Sequence, residues 1–270
     1  MLKAGAGAGS AMRERLDWLK RLIGTGISFF VFGLAGLILG AVVFPLIRLV
    51  VRDIGVRTRI ARETISWTFR RFIGLMHGLG LLTYELRDFQ RFSRRGLLVL
   101  ANHPSLIDTV FLLGFVPDST AIVGESLFRN SFTGAPLRAA GYIRNDGGPD
   151  ALTQCVRALE SGLNVLIFPE GTRTPPDGVI RLRRGATNIA IRAERDITPV
   201  SIRCEPRTLR KGEPWWKIPE RPPRFTLAVG EDIISQSFRR PDEASAIAVR
   251  RLTAFLEHYF STNSAAYDVN

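Results

Sequence analysis

Cysteine is scarce: Cys155 and Cys204 are the two in a chain of 270 residues, and neither belongs to a CxxC pair or a Cys/His ligand spacing. A disulfide scaffold and a structural zinc site are therefore unsupported, no metal is expected, and a reducing, cytoplasmic setting is the default. Acid is also short. The 25 Asp and Glu against 37 Lys and Arg give a formal charge of +12, which suits a polyanion, an anionic membrane surface or a phosphorylated small molecule. No helix-turn-helix, RNA-recognition or zinc pattern accompanies that charge, so nucleic acid is not an expected partner. No GxSxG elbow occurs either; Ser105 reads as a helix N-cap rather than a nucleophile.

Charge is absent altogether from Leu22 to Ile47, a run of 26 residues rich in Leu, Ile, Val and Phe. That length crosses a bilayer as a tilted helix. A cleaved signal peptide fits poorly, because the run exceeds an h-region and the charged preface to Arg21 is long. Lys20 and Arg21 precede the run and Arg48, Arg52, Arg57 and Arg59 follow it, so the positive-inside rule sets no orientation. Both ends on the cytoplasmic side would require the segment to dip into one leaflet, bent at its glycines or packed on the next helix, rather than span. Residues 60–80 interleave Trp67, Phe69 and Phe72 with Arg62, Arg70 and Arg71, a pattern that fits a helix in the headgroup layer or one docked on its own domain. The Ala/Gly-rich start reads as a tail.

Beyond residue 80 short apolar runs alternate with helical stretches. Strands are expected at 81–86, 97–101, 120–123, 141–144, 164–168, 198–203 and 225–229, and helices at about 105–114, 126–138, 150–161, 183–194 and 243–260. The alternation predicts an α/β fold, a mixed, largely parallel sheet flanked by helices, with a membrane-attached helical segment before it. The division expected is 1–80 for tail and membrane-attached helices and 81–270 for the α/β domain. Residues 174–179 and the proline-rich 205–224 read as loops.

Two motifs carry chemistry. ANHPSLID, residues 101–108, follows a strand and opens a helix, at the sheet edge where α/β sites form. If Asp108 lies in the first helical turn, its carboxylate folds back to His103, fixes the tautomer and leaves the other ring nitrogen as a general base. FPEGTRT, residues 168–174, follows another strand: Gly171 permits a tight backbone, Arg173 offers a donor fork suited to phosphate, and Glu170 is placed to accept a hydroxyl or orient Arg173. The basic run Arg181, Arg183 and Arg184 suits either the phosphates of a donor or a solvated helix face, and Trp215 and Trp216 suit either the lipid interface or a packed loop anchor.

NHPSLID followed by FPEGTRT resembles the lysophospholipid acyltransferase family, the 1-acylglycerol-3-phosphate acyltransferase-like group, over about residues 80–230. RRGA at 183–186 and TPVSI at 198–202 are similar to further family blocks. The resemblance implies a cytoplasmic-membrane O-acyltransferase of phospholipid biosynthesis, active on the cytoplasmic face, with no cofactor and no acyl-enzyme. It further implies His103 and Asp108 as catalytic residues, acyl-CoA or acyl carrier protein as donor, and a lysophosphatidate-like acceptor held by Glu170, Gly171, Thr172 and Arg173. Pro199 would shape the pocket wall. GYIRND, residues 141–146, departs from the family's middle block, because Arg144 comes early after Gly141. If strand alternation turns Arg144 away, one phosphate contact is lost, which keeps a lyso-aminolipid or another specialised lipid open as acceptor. A non-catalytic basic membrane-binding protein is the reading from a different class.

Overall fold

The computed structural model describes residues 4–146, 150–175 and 177–265. The chain opens with α1 (Ala4–Ile38), a π-helical turn (Leu39–Val43), α2 (Phe44–Val50) and α3 (Ile54–Gly78). The start expected as a tail is helical from Ala4, although its alternating glycines disfavour a helix. Pro45 explains the π turn: it has no N–H for the carbonyl four residues back, and its ring crowds that group. The ladder widens just before it, and the Phe44 amide donates to the Leu39 carbonyl. The glycines of the apolar run lie at its contacts with the domain. They admit close packing: a Cβ on Gly36 would fall on the Phe132 carbonyl oxygen, and one on Gly40 would lie 2.9 Å from the Ala135 Cβ.

Asp53 starts α3 by accepting from the Val56 amide at 2.7 Å, an N-cap bond. The helix buries Ala61, Ile65, Phe72, Ile73 and Met76, the 3.6-period face that docks it on the domain. Trp67 remains 53% exposed on another face with Arg71 over its ring. The segment is thus docked on its own domain, with an aromatic and basic face left to solvent.

Among the described residues seven strands follow: β1 (Thr83–Arg87), β2 (Leu98–Ala101), β3 (Ser119–Gly124), β4 (Ile143–Asn145), β5 (Asn164–Ile167), β6 (Ile197–Glu205) and β7 (Arg224–Val229). They form one sheet in the order β1-β7-β6-β2-β5-β3-β4. Neighbours are parallel except β6 and β7. The exception follows from the connection: residues 206–223 carry no helix, so β7 returns beside β6 without a crossover. The helices between strands are α4 (Asp108–Phe115), α5 (Glu125–Arg129), α6 (Gly134–Ala139), α7 (Asp150–Glu160) and α8 (Gly185–Arg192), with α9 (Ser245–Ala265) closing the chain.

Alternation along β2 divides the core. Val99 and Ala101 join the cluster under α3 and α4, whereas Leu98 and Leu100 face the cluster under α7, α8 and α9, as a period of two requires. The helix expected over 126–138 is two short helices, interrupted where the Asn130 side chain accepts from the Phe132 amide at 2.9 Å; such local bonds compete with the helix ladder. Cys155 and Cys204 are both buried, and burial pushes the Cys155 thiol up to about 12 and raises that of Cys204.

Candidate active site

β2 and β5 are adjacent and parallel, with Leu100 opposite Ile167. The loops that follow them, 102–107 and 168–174, therefore meet at the carboxyl edge of the sheet. Asn102 extends the pairing by one step: its side-chain amide donates to the Ile202 carbonyl at 2.8 Å and accepts from the Ile202 amide at 2.7 Å. This side chain substitutes for a peptide group and fixes where His103 emerges.

The imidazole of His103 lies parallel to Phe168, ring centres 4.1 Å apart and planes 23° apart. Its Nδ1 is 3.0 Å from Oδ2 of Asp108, leaving Nε2 as the second ring nitrogen. Asp108 is the first residue of α4 and fully buried. Its Oδ2 also accepts from the Ser105 amide at 2.6 Å, so Ser105 is not the N-cap expected of it. The cap contact runs the other way, from a helix-start carboxylate back to the preceding turn. Oδ1 of Asp108 has no protein partner among the described residues. Burial raises the Asp108 carboxyl above its ordinary range, against lowering by the bond to His103.

Glu170 is buried beneath the same loop. Its Oε1 accepts from the His103 amide and the Thr174 hydroxyl, both at 2.9 Å, and the Thr174 amide donates to the His103 carbonyl at 2.7 Å. Glu170 thus ties the two motifs together, and its Oε2, without a protein partner among the described residues, does not orient Arg173. Desolvation raises its carboxyl as well, opposed chiefly by the bond from the His103 amide. Arg173 points to the proline-rich loop, where Nη1 donates to the carbonyls of Leu209 and Arg210, each at 2.8 Å.

A cavity of about 430 Å³ runs from His103 along the ends of β3 and β5 to the first turns of α7 and α8. Gly171 and Thr172 line it, whereas Glu170 and Arg173 do not. Most of its wall is apolar, including Ala121, Val123, Leu127 and Phe168. Among the described residues that line it, Arg183 is the one permanent cation. The sequence alone leaves Arg183 between a donor contact and a solvated face, and the fold brings it to the cavity over Gly171. Arg144 is placed elsewhere: strand alternation puts its neighbour Asn145 on the wall, and Arg144 pairs with Asp146 at 3.3 Å. Phe168 and Thr174 are site residues that the sequence motif contains without marking a role for them.

Gly171 adopts φ +68°, and a Cβ there would lie 2.7 Å from Nε of Arg183. Gly171→Ala is expected to cost about 1–2 kcal/mol from the left-handed backbone, with Arg183 displaced from the wall. A thermal-unfolding midpoint equal to that of the parent would contradict this.

A His–Asp pair at the carboxyl edge of a largely parallel α/β sheet is an arrangement able to supply a general base, and residues 83–203 match the family model described as Acyltransferase. That match and the curated relatives support the lysophospholipid acyltransferase family, in its 1-acyl-sn-glycerol-3-phosphate acyltransferase-like group. The 1-acyl-sn-glycerol-3-phosphate acyltransferase of Pseudomonas aeruginosa is 30% identical over 126 residues, 44% of this chain and 49% of that protein. The beta form from Homo sapiens is 28% identical over 158 residues, 54% of each. The chain spans about half the length of the curated relatives it matches. The crystal structure of the 1-acyl-sn-glycerophosphate (LPA) acyltransferase PlsC from Thermotoga maritima superposes with a TM-score of 0.71 at 20% identity, covering 95% of this chain and 98% of that one, a likeness of fold.

Proposed function

We propose that the chain transfers a fatty acyl group from the thioester of acyl-CoA or acyl carrier protein to the free hydroxyl of lysophosphatidate. The observation that carries this reading is the His103–Asp108 contact of 3.0 Å at the mouth of a largely apolar cavity. In the reaction, Nε2 of His103 takes the proton of the acceptor hydroxyl as its oxygen attacks the thioester carbonyl. Asp108 holds the ring and stabilises the imidazolium. Collapse of the tetrahedral intermediate breaks the carbon–sulfur bond, and the imidazolium returns its proton to the departing thiolate. Glu170 positions the His103 backbone, Gly171 and Thr172 form the wall beside the reacting atoms, and Arg173 secures the loop over them. Arg183 supplies the positive charge for a substrate phosphate.

A second acceptor reading rests on Arg144, which pairs with Asp146 rather than lining the cavity. A lyso-aminolipid or other specialised lipid would need fewer phosphate contacts. The test is thiol release from acyl-CoA by detergent-purified protein over a panel of lysolipids, with products identified by mass. Phosphatidate formation is expected with lysophosphatidate; acylation confined to another acceptor would move the assignment to that lipid, and release with none would remove the catalytic reading.

For the N-terminal region, residues 1–80 attach the protein to the cytoplasmic leaflet and residues 81–270 carry the chemistry. α1 supports lying in one leaflet over spanning. Arg21 donates to the Pro219 and Glu220 carbonyls at 2.7 Å, and Gly40 packs on Ala135. Those contacts are about 29 Å apart along a helix, close to the full hydrocarbon thickness, so the domain flanks the helix throughout. The opposite face exposes Ile23, Ile27, Phe30, Leu34, Ile38 and Val42, a continuous apolar stripe at helical spacing.

A further inference from the structure

The end of the N-terminal hairpin holds a separate cavity of about 480 Å³ between α2, the start of α3 and α6. Its floor includes Phe44, Ile47 and Ala61, and its charged lining among the described residues is Arg48, Arg57 and Arg138, with no carboxylate. Arg138 donates from Nη1 to the Phe128 carbonyl at 2.8 Å. Among the described residues none of the three forms an ion pair, unlike Arg62 with Asp118 or Arg251 with Glu243. The nearby Asp53 is engaged as the cap of α3. Around the cavity Leu46 and Ile54 are exposed, and Leu49 and Val50 are 79% and 82% exposed.

Three guanidinium groups over an apolar floor, collared by exposed aliphatic side chains, match an amphiphile with an anionic head. Geometry adds a direction: the cavity lies at the end of the apolar stripe of α1, where a helix in the leaflet would bring headgroups. We propose that this recess binds the phosphate of an anionic bilayer phospholipid, with the three arginines on the phosphate and the glycerol region over Phe44 and Ile47. Its charge complementarity selects a lipid headgroup, and its site is distinct from the cavity at His103. The proposal rests on the leaflet reading of α1.

Vesicle flotation of the whole 270-residue chain, purified in detergent, tests it, using phosphatidylcholine alone and phosphatidylcholine with phosphatidylglycerol. The parent is expected to prefer the anionic vesicles by on the order of 100-fold for three arginines at a surface. The variant Arg48→Gln/Arg57→Gln/Arg138→Gln is expected to lose that preference yet still bind neutral vesicles. A control, Arg239→Gln/Arg240→Gln/Arg250→Gln, removes the same charge near the start of α9, which packs on the other side of the sheet. It is expected to retain the preference, since charge farther than about 10 Å from the surface is screened. Equal loss in both variants would assign the preference to net charge and overturn the recess. Failure to bind neutral vesicles would overturn the leaflet reading alone. The recess is then read without a bilayer, as thermal stabilisation by short-chain phosphatidylglycerol in the parent and its absence in the first variant; stabilisation of both equally would overturn it.

Discussion

His103→Ala is expected to lower turnover by about 10²–10⁴-fold, the range a positioned general base contributes, with little change in fold. The structure gives reasons for both halves. The imidazole stacks on Phe168 and is held through Nδ1, so its removal leaves no nitrogen in reach of an acceptor hydroxyl. Asp108 then loses one partner but keeps the Ser105 amide. Because burial already raises its carboxyl, it takes up a proton instead of remaining an isolated buried charge. Initial rates of thiol release with lysophosphatidate, beside a thermal-unfolding curve, check the expectation. Turnover within about twofold of the parent, far short of the contribution expected of a general base, would sink His103 in that role.

Asp108→Asn is expected to separate activity from stability. Oδ2 meets both the Ser105 amide and Nδ1, so the asparagine carbonyl takes its place and the NH₂ takes that of Oδ1. The neutral amide holds the ring but supplies no negative charge to the imidazolium that forms as the base takes its proton, and a loss of about 10²-fold or more follows. Stability moves the other way. A carboxyl whose folded pKa lies above its unfolded value contributes stability fully below the ordinary aspartate range of about 4, and loses it as pH rises through the folded value. At neutral pH the parent therefore carries the cost of ionising Asp108, and the asparagine variant does not. Unfolding midpoints measured from about pH 4 to 8 should fall more steeply with pH in the parent than in the variant. Parallel curves would show that Asp108 titrates normally.

The strands were legible because each is a short apolar run between turn signals, and the buried runs 97–101 and 164–168 align with β2 and β5. The motif at 101–108 was equally legible. Once Asp108 opens a helix, its carboxylate has only the turn behind it to meet. Less legible were features set by residues remote in sequence. Arg173 has the chemistry of a phosphate fork, yet the carbonyls that engage it lie 36 and 37 residues away. Arg183 and Arg144 are both arginines after apolar residues, and it is the bond from the Arg183 amide to the Pro169 carbonyl, 2.8 Å long and just beyond β5, that holds the first at the cavity. Propensity likewise could not divide 126–138, where the interruption depends on the Asn130 side chain bonding locally. The glycines from 24 to 40 looked like hinges because a single chain shows no neighbour; the fold makes several of them contact surfaces for Leu81, Phe132 and Ala135.

The burial of Cys155 and Cys204 has a practical consequence. A disulfide reagent that reports free coenzyme A reacts with thiolates, and both side chains are shielded and kept protonated at assay pH, which makes the native protein nearly silent toward it. The same silence lets a single cysteine introduced on the apolar stripe of α1 carry a fluorescent reporter of lipid immersion without first replacing either native residue.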